Sequence, residues 1–318
     1  MTWRNRTLPA DPEVPGDEVC VRAMGALRGI DRAMDRAGQV LARFSRPVRD
    51  GLILIGLGRA VYYFFVQGIQ PWTFIGVDAR AYWQVNLAHP YVGSGVGDIS
   101  TYLYSPAFAQ VMAPLSVLPF PVFDALWTAV LLVAAIWLVR PWPWATLILF
   151  LPVSYELLVG NVHFLIAAAI VVGFDAPAVW AFPLLTKVTP GVGVLWFAVR
   201  RDLRPAAIAL GATAAIVVIS FALSPSAWFD WIAFLLASPD RSQLLVPRTI
   251  VGAVLVAFGA TTGRRWLVPV AVWMALPIVW VNSWVILLAT IRLRQRVEPA
   301  TWLPGAEATT SAEAVAAP

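Results

Sequence analysis

The chain reads as a succession of apolar runs broken by short polar stretches, at about 51–69, 105–118, 122–139, 143–158, 161–173, 178–199, 205–223, 248–262 and 266–291. A straight span of a bilayer takes roughly 20 apolar residues, and several of these runs are shorter. Pro114, Pro152, Pro183, Pro190 and Pro277 interrupt them. Broken or half-spanning helices are expected, lining a cavity rather than facing lipid. The pattern predicts an all-α polytopic membrane protein with nine to eleven membrane segments. Between the first two runs lies a segment of mixed polarity, 70–104, with Asp78, Arg80, His89, Asp98 and a turn-rich GSGVGD stretch. It is too polar to span and too aromatic to be a free linker, so it predicts a large first external loop folded over the bundle. A second external loop is expected at 225–247, with Trp228, Asp230, Trp231, Asp240 and Arg241. The domain reading is a polar segment at 1–48, a membrane domain at 49–292 and a disordered tail at 293–318, rich in Ala, Glu, Thr and Pro.

Composition agrees with this pattern and narrows the class. Of 318 residues, 59% are hydrophobic and 13% charged, against roughly 25% charged in soluble domains, which excludes a soluble globule. Sixteen Trp and sixteen Phe suit membrane interfaces and a bundle interior. The net charge of +5 comes from 22 Arg and one Lys. Most of the Arg flank apolar runs, which fits the positive-inside rule and not nucleic-acid binding. Arg22, Arg28, Arg32, Arg36, Arg43, Arg46 and Arg49 should hold the N-terminus in the cytoplasm, with no secretory signal peptide expected. The plasma (inner) membrane is the expected location. Clusters at Arg200, Arg201 and Arg204, at Arg264 and Arg265, and at Arg292, Arg294 and Arg296 should share that side. The run 266–291 then favours two short helices turning near Pro277 over one long helix. Cys20 is the only cysteine, so no disulfide or cysteine metal site can form.

Three sets of polar groups stand where a bilayer disfavours them. Lys187, the one lysine, sits in AFPLLTKVTPGVGVLW between two prolines. It either snorkels or pairs structurally, or it binds an anionic substrate. Glu156, Asn161 and His163 form the second set, in LPVSYELLVGNVHFLI. Seven residues separate Glu156 from His163, which would align them on one helical face if Gly160 did not break the run. Each could simply be satisfied by a neighbouring helix, and two ligands without a third make a poor metal site. Asp78, in FIGVDARAYW, is either the cap of a short helix or a carboxylate held at the membrane plane. Arg80, Tyr82 and Trp83 beside it suit an interface anchor or a sugar-stacking wall.

The order of these motifs resembles glycosyltransferase family 87, one of the C-type families that use polyprenyl-phosphate sugars and include mannosyltransferases. The resemblance rests on a D-x-x-x-Y pattern at Asp78 and Tyr82, YSPAFAQVMAPLSVLP, ELLVGNVHFLI, the Lys-x-x-Pro of LLTKVTPGVGVLWFAVRR, and RRWLVPVAVWMALPIVW, and it spans about 50–292. Two positions depart from the family pattern: Asn161 replaces a Gln, and His163 replaces an Asn. The resemblance implies a C-type helix bundle and transfer of a sugar, mannose in mannosyltransferases of this kind, from a polyprenyl-phosphate donor to a lipid or glycan acceptor on the outer face, with inversion. It implies Asp78 as the base and Lys187, Arg80 and Arg248 around the donor phosphate, with Arg241 as a further cation. Tyr82, Trp83, Tyr104, Glu156, Asn161 and His163 would bind substrate. No metal or cofactor is expected, the lipid-linked sugar being a substrate, and the partners are that donor, the acceptor and membrane lipids. The competing classes are a lipid or amphiphile transporter or flippase, and a non-catalytic membrane scaffold of the same fold.

Overall fold

A computed structural model of the chain describes residues 36, 54, 58, 75–91, 101–139, 150–237 and 244–294. Of its two compact units, Met1–Gly51 and Leu52–Pro318, the second holds every element described below. Apart from Arg36, Leu54 and Gly58, the expected cytoplasmic segment and first membrane helix lie outside the described residues, as do GSGVGD, Asp98, Arg140, Arg241 and the chain beyond 294. Among the described residues all regular elements are helical.

Among the described residues, three helices are long and apolar enough to cross a membrane: Phe120–Val139, Leu203–Leu223 and Leu245–Thr262. The first has 20 residues, about 30 Å at 1.5 Å per residue, which matches the hydrocarbon core. One of its faces, with Phe123, Trp127, Leu131, Ala135 and Leu138, is buried against the bundle. The other exposes Val122, Leu126, Val130, Val133 and Trp137. An apolar stripe of that extent faces lipid rather than water. Leu203–Leu223 buries only Ala209 and Ser220, and Ser220 is its joint to the bundle. Its carbonyl accepts from Gln110 Nε2 at 3.0 Å and its hydroxyl accepts from Trp228 Nε1 at 3.0 Å.

A fourth candidate span is broken. Helices Leu151–Val159 and His163–Val172 meet at 110°. Gly160 ends the first in the left-handed conformation, φ 76°, which glycine adopts without a Cβ clash. Three of the groups freed by the break are paired by side chains: Gly160 O accepts from Trp127 Nε1 at 2.7 Å, Val162 N donates to Asn161 Oδ1 at 2.7 Å, and His163 N donates to Glu156 Oε1 at 2.7 Å. This pairing is what allows irregular backbone at membrane depth.

The expected nine to eleven segments are not all full spans. Pro106–Val117, Thr189–Val199 and Val281–Leu293 are helical but short. Proline and glycine disrupt the second of these, Thr189–Val194 being a 3-10 stretch of sequence TPGVGV. The run 266–291 does divide near Pro277: Leu267–Met274 is followed by a break and by a second helical stretch from Val281. The Trp273 and Trp284 rings lie 5.0 Å apart, so the two halves fold back on each other. The expected second external loop at 225–247 contains a helix. Pro225–Ala237 is an α-helix that buries Ala227, Trp228 and Trp231 on one face, because proline starts it and its aromatics recur at helical spacing.

Candidate active site

The break at Gly160 receives the short helix α1, Val77–Trp83. Gly76 N donates to Leu158 O at 2.8 Å. A Cβ built on Gly160 would stand 2.8 Å from Ala79 Cβ, so the two backbones are in close contact. Asp78 does not cap α1: the N-cap is Gly76, and Asp78 lies in the first turn. Its Oδ2 instead accepts from Asn161 Nδ2 at 2.6 Å, joining α1 to the broken span across 83 residues.

Around this contact the polar residues form one connected cluster. Tyr104 Oη donates to Asn161 Oδ1 at 3.5 Å and lies 3.0 Å from Tyr82 Oη. Tyr104 is held by its neighbours, since Tyr91 Oη donates to Tyr104 O at 2.8 Å and Tyr102 Oη donates to Ser105 O at 2.7 Å. Lys187 ends a third element, Ala181–Lys187, with Nζ 5.6 Å from the Tyr104 ring centroid, within cation–π range. Its ammonium acts electrostatically on Asp78, Glu156 and His163. Val188, the next residue, has φ 56° and ψ −67°. A β-branched side chain there is strained, as is common beside functional groups. Burial pushes the Asp78 carboxyl above its usual value more than the Asn161 hydrogen bond draws it down; Glu156 adds to the rise and Lys187 opposes it.

On the far side of Asn161, Glu156 turns back to the start of the next helix. Despite the bend, its Oε2 lies 3.0 Å from His163 Nδ1, and it accepts from Asn282 Nδ2 at 2.8 Å. Of the residues singled out in the sequence, the structure gathers Asp78, Tyr82, Tyr104, Glu156, Asn161, His163 and Lys187. It takes three elsewhere. In α1, Asp78 and Tyr82 are four residues apart and share a face, whereas Arg80 and Trp83 fall on the other. The Arg80 guanidinium stacks 3.9 Å from the Phe120 ring centroid, and Trp83 Nε1 donates to Leu118 O at 2.8 Å. Arg248 donates to Leu276 O at 3.1 Å, bracing the break near Pro277. Tyr82 is 0% exposed, with the rings of Tyr104, Phe108 and Trp127 against it. Sequence reasoning missed Asn282. Its signal was the Asn282–Ser283 pair within an otherwise apolar run.

Beside the cluster opens an apolar groove of about 360 Å³, lined by Phe108, Met112, Phe182, Leu185, Thr186 and Ile216 among others. Phe108 packs on both Tyr82 and Tyr104, and Thr186 precedes Lys187, so the groove borders the polar site. Ile216 belongs to the long helix Leu203–Leu223. A family model described as glycosyltransferase family 87 matches residues 102–309. The chain belongs to glycosyltransferase family 87. No curated protein and no solved structure matches it. Family membership together with the apolar helices makes this a membrane glycosyltransferase, which sets the transporter reading aside. The part matched to glycosyltransferase family 87 contains Tyr104, Glu156, Asn161, His163, Lys187 and Asn282. It begins after Asp78, whose place in the site rests on its bond to Asn161.

Proposed function

We propose that the enzyme transfers mannose from a polyprenyl-phosphate donor to a lipid or glycan acceptor at the outer face of the plasma membrane, with inversion, and with the N-terminus in the cytoplasm. The observation that carries this reading is the approach of a half-buried carboxylate and the one lysine at the edge of an apolar groove. A lipid-linked phosphate needs those three features together: a cation, an apolar channel and an adjacent base.

The acceptor hydroxyl oxygen attacks the anomeric carbon from the face opposite the phosphate. The new C–O bond forms as the bond to the phosphate oxygen breaks, and the leaving polyprenyl phosphate takes the electron pair. Asp78 takes the hydroxyl proton. The Asn161 amide fixes one of its oxygens at 2.6 Å, and such placement sets a base's efficiency as much as its pKa does. Lys187 faces the growing phosphate charge in a low-dielectric site, where a fixed cation is worth far more than in water. No metal enters these steps.

The test is Asp78→Asn. The amide oxygen still accepts from Asn161, so the contact survives while the base is lost. Transfer from a polyprenyl-phosphate mannose donor should fall about 10²- to 10⁴-fold, with thermal stability maintained. Transfer at the wild-type rate would remove Asp78 from the chemistry.

A further inference from the structure

The Glu156 carboxylate collects three donors: the His163 backbone N–H at 2.7 Å on Oε1, and His163 Nδ1 at 3.0 Å and Asn282 Nδ2 at 2.8 Å on Oε2. Glu156 is 0%, His163 1% and Asn282 3% exposed, so this is an interior arrangement. A carboxylate can only accept, so the Nδ1 facing it carries a proton. In the neutral ring that leaves Nε2 as a bare lone pair. Nε2 is buried and has no hydrogen-bond partner among the described residues, whereas buried polar atoms are nearly always paired. His163 lies two residues beyond Asn161, which holds Asp78, and within the electrostatic reach of Lys187.

We propose that Glu156 and Asn282 are positioning residues that hold His163 in one tautomer, so that Nε2 accepts a hydrogen bond from a hydroxyl of the transferred sugar. This makes His163 a specificity-determining residue. The inference deepens the reading given above and rests on it for the sugar's source. The chemistry selects the ligand group. A phosphate ionised at neutral pH offers little to a lone pair and is suited to Lys187, and an isoprenoid chain has no polar hydrogen. A sugar hydroxyl is a donor that fits. A site built to accept from one hydroxyl discriminates strongly against an analogue that lacks it, because the acceptor is then left unpaired.

Two amide substitutions separate this role from a structural one. His163→Asn retains an amide near the Nδ1 position, able to donate to Glu156, but stops short of Nε2. His163→Gln reaches the Nε2 position and gives up the contact with Glu156. With mono-deoxy analogues of polyprenyl-phosphate mannose as donors, wild-type enzyme should reject one analogue strongly. His163→Asn should keep wild-type thermal stability, lose about 10- to 100-fold in kcat/KM on the full donor, and no longer distinguish that analogue. His163→Gln should melt earlier yet keep part of the discrimination. Wild-type discrimination in His163→Asn would overturn the proposal, showing that Nε2 meets only an ordered water. A second measurement does not depend on the donor. The chain has two histidines, His89 and His163, so ¹⁵N-histidine NMR resolves both, with exposed His89 as internal reference. His163 should carry its proton on Nδ1, and an Nε2–H tautomer would refute the inference. Wild-type protein that transfers nothing from any polyprenyl-phosphate mannose would refute the donor reading alone, and the tautomer would then decide the case for His163.

Discussion

Gly160→Ala tests whether the docking of α1 on the broken span sets the position of Asp78. Two costs follow from the geometry. At φ 76° an alanine Cβ crowds the following carbonyl, a penalty of roughly 1–2 kcal/mol. That Cβ would also stand 2.8 Å from Ala79 Cβ, whereas carbon atoms pack best at about 3.5–4.0 Å. Ala79 is the residue after Asp78, and its Cβ is fixed to the helix backbone, so relief requires α1 to retreat by roughly 1 Å. The Asp78–Asn161 bond at 2.6 Å would lengthen by a similar amount. Misplacement on this scale can cost about 10²-fold in rate. Transfer should therefore fall about 100-fold, and thermal stability should fall by the smaller backbone penalty. The control is the double variant Ala79→Gly with Gly160→Ala. Removing the Ala79 methyl opens the contact and should restore most of the transfer, while glycine within α1 costs about a further 1 kcal/mol of stability. Activity and stability then move in opposite directions, which general unfolding cannot produce. The reasoning fails if Gly160→Ala transfers at the wild-type rate, or if the double variant is as slow as the single one.

Two more outcomes follow from charge. The raised Asp78 carboxyl must be ionised to act as base, so kcat should fall away at a pH above the ordinary carboxylate range of about 3.9 as acid is added. For stability the sign is reversed: Asp78 contributes fully below its unfolded value, and the contribution is lost as pH rises through the raised folded value. Asp78→Asn should thus melt no lower than wild type at neutral pH, and a clearly lower melting temperature would contradict the burial argument. Lys187→Met keeps the aliphatic stem and removes the charge. Binding of a short-chain polyprenyl phosphate should weaken about 10- to 100-fold, with Lys187→Arg retaining part of it. Since Lys187 opposes the rise at Asp78, the acid limb of any residual activity should also move upward. Unchanged binding with a large loss of stability would make Lys187 a structural counter-ion.

The parts of this protein that were legible in the sequence are those governed by local chemistry. Apolar runs mark the helices, and proline with glycine marks their breaks, as at Gly160 and Pro277. Charged or amide side chains in apolar sequence mark the site, and Asp78, Glu156, Asn161, His163 and Lys187 do gather. Helical phase within α1 could also have separated Asp78 and Tyr82 from Arg80 and Trp83, because only the first two share a face. The segment after Pro225 carried its own helical spacing at Ala227, Trp228 and Trp231; its polar residues made it read as a loop. What local chemistry could not supply was partnership over distance. Nothing near Asn282 points to Glu156, 126 residues away.

Glu156 and His163 show how a broken helix can do what a regular one cannot. On an unbroken helix a separation of seven residues places side chains two turns apart, about 10.5 Å along the axis, too far for a hydrogen bond. The 110° bend removes that separation and brings Nδ1 to 3.0 Å from the carboxylate. The same break frees Asn161 from helical geometry, so that its carbonyl can satisfy Val162 N while its amide reaches Asp78. A continuous helix would satisfy its backbone internally and offer neither contact. The left-handed glycine therefore determines the site as directly as the polar residues do: it places an amide and an imidazole, only two residues apart in sequence, where one can hold the candidate base and the other can meet the sugar.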